Sequence, residues 1–160
     1  EEFKVQIAND NSEGQIVISG QNEDLEKMIK ILGDISIKNI KLPVSAPFHC
    51  SLMKSASEIM REKIIKTNFK KPLNQIVSNV TAKAITDTNI IKKLLIEQIF
   101  STVKWRESII NISKNGVNNF FEIGPGKVLS GMVKRTLKDI NCFSLNSIND
   151  MKNIPNEFKK

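Results

Sequence analysis

The chain has 160 residues, 40% of them hydrophobic, with a formal net charge of +7 and a pI near 9.4; this suits one domain, or one domain with a small subdomain. No apolar run approaches the ~20 residues that span a bilayer, and two cysteines with a single histidine supply neither a disulfide framework nor an ordinary zinc tetrad. A cytoplasmic, reduced protein without metal or membrane is therefore expected, and its charge favours an acidic partner or reflects an Ile-, Lys- and Asn-rich composition.

The chain opens Glu-Glu-Phe without an initiator Met or a signal-peptide pattern, so it is expected to begin mid-protein. Phe3, Val5 and Ile7 alternate with Lys4, Gln6 and Ala8 as in a half-buried strand, and the polar run at 9–14 predicts a turn. Residues 15–19 predict the return strand of a hairpin. A helix follows, with Asn22 as N-cap, Leu25, Met28, Ile29 and Leu32 on one face, and Gly33 at its end. Ile35, Ile37, Ile40 and Leu42 predict a further strand, stopped by Pro43. Strand, strand, helix, strand is the order of the latter part of a ferredoxin-like unit.

Residues 42–48 hold Pro43 and Pro47, which predict an extended connection and a subdomain boundary. Ser51 is placed to cap a helix carrying Leu52, Ala56, Ile59, Met60 and Ile64 at helical spacing, and residues 76–80 predict a short strand. Apolar residues between Ile90 and Phe100 mark one helix; Trp105, Ile109 and Ile112 mark another, terminated by Gly116. Residues 119–123 predict a strand running into Gly124-Pro125-Gly126 and a helix over 128–137, with a last strand at 142–145. Alternation of strands and helices indicates an α/β layer with parallel pairing, but so few strands imply a sheet completed elsewhere. The polar tail from 149 to 160 is expected to fray after a short helical turn.

His49, the single histidine, lies between the proline-bounded loop and the next helix, where a side chain can serve as a general base or merely satisfy a backbone group. Cys50 beside it reads as a buried thiol, because sequence neighbours point apart. No Gly-x-Ser-x-Gly elbow occurs, so an acyl-transfer nucleophile is missing from these residues. Gly124-Pro125-Gly126 before a helix reads either as an anion cradle or as a tight strand-to-helix turn. Gln98 shares a helical face with Ile91 and Leu94, so its amide needs a partner.

The blocks Ile7-Ala8-Asn9-Asp10-Asn11, residues 14–20, residues 42–53 around Pro47-Phe48-His49-Cys50, Asn79-Val80, Gln98-Ile99, Val103-Lys104-Trp105 and residues 122–129 follow one another in order. Together they resemble the C-terminal half of the malonyl-CoA:acyl carrier protein transacylases, from about residue 5 to about 146. The resemblance implies a partial ferredoxin-like small subdomain (1–43), the C-terminal part of an α/β-hydrolase-like acyltransferase core (44–148) and the polar tail (149–160). It implies ping-pong malonyl transfer from CoA to the phosphopantetheine thiol of acyl carrier protein, in fatty acid biosynthesis, by a Ser–His dyad without a resident cofactor.

On that resemblance His49 is the catalytic base, Gln98 orients it through its backbone carbonyl, and Asn9 and Asn11 lie near the pocket. Lys127, Lys134 and Arg135 are candidates to meet an acidic carrier protein. The family's serine elbow, its carboxylate-binding arginine and its oxyanion-hole glutamine precede the matched part, so the isolated chain is expected to be inactive and poorly folded. Two other readings are a non-catalytic carrier-binding remnant and a basic RNA-binding module. The second would need aromatics on the strands of the ferredoxin-like part for base stacking, and Phe3 is the only one in those strands.

Overall fold

A computed structural model describes residues 4–158, which form six strands and six α-helices. Phe3, expected in the first strand, lies outside the described residues, as do the last two lysines of the tail.

Strands β1 (Val5–Ser12) and β2 (Gln15–Gly20) form the expected antiparallel hairpin. The polar run at 9–14 is mostly strand, with the turn confined to Glu13-Gly14 and Gly14 at φ 72°. Tertiary pairing overrides turn propensity here. The free edge of β1 pairs in parallel with Val103, whose N–H donates to the Ala8 carbonyl at 2.8 Å and whose carbonyl accepts from Asp10 N–H at 2.9 Å. Two register shifts, after Ile7 and after Asp10, absorb the extra residues as bulges.

Helix α1 spans Asn22–Asp34 with Gln21 at the N-cap, so Asn22 is its first residue rather than its cap. Gly33 lies inside it. The exit is a Schellman turn, with Ser36 left-handed at φ 58°, Ser36 N–H on the Gly33 carbonyl and Ile37 N–H on that of Leu32. The strand expected through Ile35, Ile37, Ile40 and Leu42 does not form: residues 37–44 have no regular structure and Ile40 is 73% exposed. An apolar alternation becomes a strand only with a hydrogen-bonded neighbour, and β1–β2 is a closed pair among the described residues.

After the proline-bounded loop, Ser51 opens a 3₁₀ turn (Ser51–Met53) instead of capping, and α2 (Lys54–Lys66) follows with no side-chain cap. Helix α2 packs on α3 (Thr88–Gln98); its Ser57 is fully buried, while Ile59 of its apolar stripe is 75% exposed. Strand β3 is only Ile76–Val77 and pairs with a short β4 (Ala84–Ile85) that the sequence pattern did not reveal. Helix α3 begins at a real cap, Asp87, whose carboxylate accepts the N–H groups of Asn89 and Ile90.

Helix α4 (Trp105–Lys114) leads through Gly116, at φ 87°, to β5 (Asn119–Ile123), α5 (Val128–Thr136) and β6 (Asn141–Leu145). Strands β5 and β6 are parallel and in register from Asn119↔Asn141 to Ile123↔Leu145, with α5 as the crossover. A final α6 (Ile148–Lys152) supplies the expected helical turn of the tail. The core gathers Ile91, Leu94 and Ile96 of α3, Ile109 of α4, and Met132 and Val133 of α5. The chain is mixed α/β with small sheets, and among the described residues no helix is long and apolar enough to cross a membrane.

Candidate active site

The proline-bounded loop delivers His49 in the left-handed region, at φ 59°. A non-glycine residue there costs roughly 1–3 kcal/mol and persists only where its surroundings fix it. Three contacts do so. The half-buried imidazole has Nδ1 2.9 Å from the Gln98 carbonyl oxygen. Cys50, 2% exposed, donates its Sγ–H to the Pro47 carbonyl at 3.2 Å, which accounts for the thiol as a structural group. Ser51 N–H donates to Gln6 Oε1 of strand β1 at 2.6 Å.

The contact with Gln98 assigns the ring chemistry. A carbonyl only accepts, so in the neutral imidazole Nδ1 carries the hydrogen and Nε2 keeps its lone pair. Gln98 ends α3, where the last carbonyls have no helical donor, so its oxygen is available to the ring. Here the main chain of Gln98 is the working group. The half-buried amide side chain is not part of the contact.

Beside the ring is a cleft of about 320 Å³ lined by Gln6, His49, Val80, Phe100, Ser101, Thr102 and Lys104. Its walls come from β1, the turn after β3 and the segment joining α3 to α4. These walls are tied together: Thr102 Oγ1 donates to the Ile7 carbonyl at 2.6 Å, and Lys104 N–H to that of Asn79 at 2.9 Å. Asn9 and Asn11 lie on β1 but do not line this cleft; Asn11 is buried, and Asn9 stands opposite Val103.

At the Gly124-Pro125-Gly126 corner, Glu122 of β5 accepts the N–H groups of Leu129 (3.0 Å) and Ser130 (2.7 Å). The Ser130 hydroxyl and these amides hold the Glu122 carboxyl below its ordinary value. The helix terminus therefore has an internal anion, and the corner is a strand-to-helix turn rather than an open cradle. Lys127 and Lys134 border a shallow depression near Ser144 and Asp150. Arg135 is directed elsewhere, with guanidinium contacts to Gln15 Oε1 (2.8 Å) and Ser12 Oγ (3.4 Å).

The family profile described as the acyl transferase domain matches residues 2–157. The chain belongs to the acyl transferase domain family. A malonyl CoA-acyl carrier protein transacylase of Bacillus subtilis (strain 168) is 42% identical over 142 residues, covering 88% of this chain and 45% of that protein. An acyl-carrier-protein-S-malonyltransferase from Bartonella henselae is 40% identical with a TM-score of 0.89, covering 93% of this chain and 48% of its own. A malonyl-transacylase solved in complex with a type II PKS acyl-carrier protein is 31% identical, with a TM-score of 0.90 over 96% of this chain and 50% of its own. This acyl transferase chain thus spans about half the length of the curated relatives it matches.

Several lining residues of the acyl transferase cleft escaped sequence reasoning, namely Gln6, Ser101, Thr102 and Lys104. Gln6 carries the polar phase of an ordinary strand, and 101–104 is a connection between helices. Neither pattern differs from that of a solvated surface.

Proposed function

We propose that the protein to which this acyl transferase chain belongs moves a malonyl group from CoA to the phosphopantetheine thiol of an acyl carrier protein in fatty acid biosynthesis. The observation that carries this reading is the His49 imidazole, hydrogen-bonded through Nδ1 to the Gln98 carbonyl and bordering a cleft. The serine nucleophile, the carboxylate-binding arginine and the oxyanion-hole glutamine come from residues outside this chain.

In the first half-reaction the serine oxygen attacks the malonyl thioester carbonyl while His49 Nε2 takes the serine proton. The partial negative charge at the carboxyl end of α3 and the Gln98 carbonyl steady the imidazolium that results. The tetrahedral adduct expels CoA thiolate, which takes that proton, leaving a malonyl-serine ester. In the second, the carrier thiol gives its proton to Nε2 as its sulfur attacks the ester, and the proton returns to the serine oxygen. Lys127 and Lys134 form a basic rim for the acidic carrier, while Arg135 supports the hairpin behind it.

In the full-length protein, His49→Ala is expected to lower the transfer rate by about 10²–10⁴-fold, read as carrier malonylation by mass spectrometry. Gln98→Ala, which retains the carbonyl, should change that rate by less than about threefold, and the chain alone should give no transfer. Full activity in the His49 variant would remove the assignment.

A further inference from the structure

We infer that Gln6 is a positioning residue for the catalytic histidine, holding from the hairpin the left-handed turn that presents the ring. This rests on the proton-shuttle reading of His49. Two bonds reach that turn from outside its own loop. One meets the ring: Nδ1 on the Gln98 carbonyl at 2.9 Å. The other meets the backbone two residues on, where Ser51 N–H donates to Gln6 Oε1 at 2.6 Å.

Ser51 opens the 3₁₀ turn, and the side chain of Cys50 at the N-cap makes no capping bond, so Ser51 N–H is a helix-end donor that the loop does not itself satisfy. Gln6 supplies the acceptor from 45 positions earlier. His49 at φ 59° lies between these two pins. Releasing the second lets the backbone relax toward the extended region, which swings the imidazole about its own Cα. The contacts inside the loop, Cys50 Sγ on the Pro47 carbonyl and Met53 N–H on the Cys50 carbonyl, tie the loop only to itself and do not fix its place against the hairpin. Gln6 also lines the cleft, so the residue that fixes the turn forms part of the wall the ring faces.

Gln6→Leu in the full-length protein tests this. The expected result is a fall in kcat of about tenfold, the scale set by small misplacements of a reacting group, with KM for malonyl-CoA within about twofold. Gln6→Glu, which keeps an oxygen acceptor at the same reach, should restore the plateau rate. Imidazole ¹⁵N spectra, with the His49 signals assigned by their loss in His49→Gln, should show one Nδ1-protonated ring in the parent and a broadened or mixed population in Gln6→Leu. Should leucine disturb the hairpin, Gln6→Ser, too short to reach Ser51, carries the same expectation. Unchanged kcat and unchanged imidazole signals in both variants would overturn the inference. If His49→Ala kept full activity, the proposed function would fall, yet the spectra would still decide whether Gln6 orders the ring.

Discussion

The β1–β2 hairpin and the β5–β6 pair are both two-stranded, but their cover differs, and in β1 Ala8 is buried rather than Ile7 of the expected apolar face. The hairpin is clamped to the helices. Arg106 of α4 forks onto both carboxylate oxygens of Asp10 at 2.9–3.1 Å, Arg135 of α5 reaches Gln15, and the Val103 backbone pairs with the β1 edge. Ala8, Ser12 and Ser19 are buried as a result. In the parallel pair α5 covers the face of Glu122, Cys142 and Ser144; the opposite face carries stacked Phe121 and Phe143 with Phe158 against them, but Ile123 at the end of β5 stays 78% exposed. Parallel strands are ordinarily covered on both faces. The hairpin has its partners within the chain, and the parallel pair has only some of its own.

This contrast can be broken at Ile123. Judged by its exposure here, Ile123→Ala would be a surface change worth at most about 0.5 kcal/mol. If residues outside this chain complete the sheet, the same change in the full-length protein should cost about 2–5 kcal/mol by urea denaturation, as for a core isoleucine. A neutral result there would mean that the open face of β5 is its working state.

The hairpin offers the complementary test. A Cβ on Gly20 would lie 2.6 Å from the Lys4 carbonyl oxygen and 3.1 Å from Val5 Cα, both backbone atoms. Gly20→Ala should therefore cost about 1–3 kcal/mol, the usual range for overpacking, with the loss showing as a lower denaturation midpoint. A midpoint within error of the parent would show that β1 can yield, against the picture of a clamped hairpin.

The same contrast explains what could be read in advance. Helices α3, α4 and α5, strands β5 and β6 and their parallel pairing were legible because these elements pack on one another within the chain. The strand expected through Ile35 and Leu42 was wrong because alternation states a wish for a partner and no described strand answers it. The turn expected at Asn9 and Asp10 was wrong for the opposite reason: the edge of β1 found a distant partner in Val103, which no local pattern announces. At the site, a lone histidine after two prolines drew attention to position 49. Its left-handed backbone, the Gln98 carbonyl on its ring and the bond from Ser51 N–H to Gln6 involve groups far apart in sequence, visible only once the chain is folded.

The smallest expected effect lies between the two regions, at Glu122, which shares β5 with Ile123 but turns its carboxylate inward to the start of α5. The Ser130 hydroxyl, then the amides of Ser130 and Leu129, hold that carboxyl below its ordinary value of 4.5. A lowered folded-state value means that the folded protein binds the proton less readily than the unfolded chain. The stabilisation is therefore complete above the unfolded value and fades as pH falls through the folded one. Glu122→Gln keeps one acceptor but sets an amide NH₂ against backbone donors. It should lower the melting temperature slightly at pH 7, and the gap to the parent should close as pH drops below 4.5 and through the lowered folded-state value. A gap independent of pH would assign the loss to packing at the Gly124 corner rather than to the charge, and would make this end of β5 as indifferent to its helix as Ile123 is exposed.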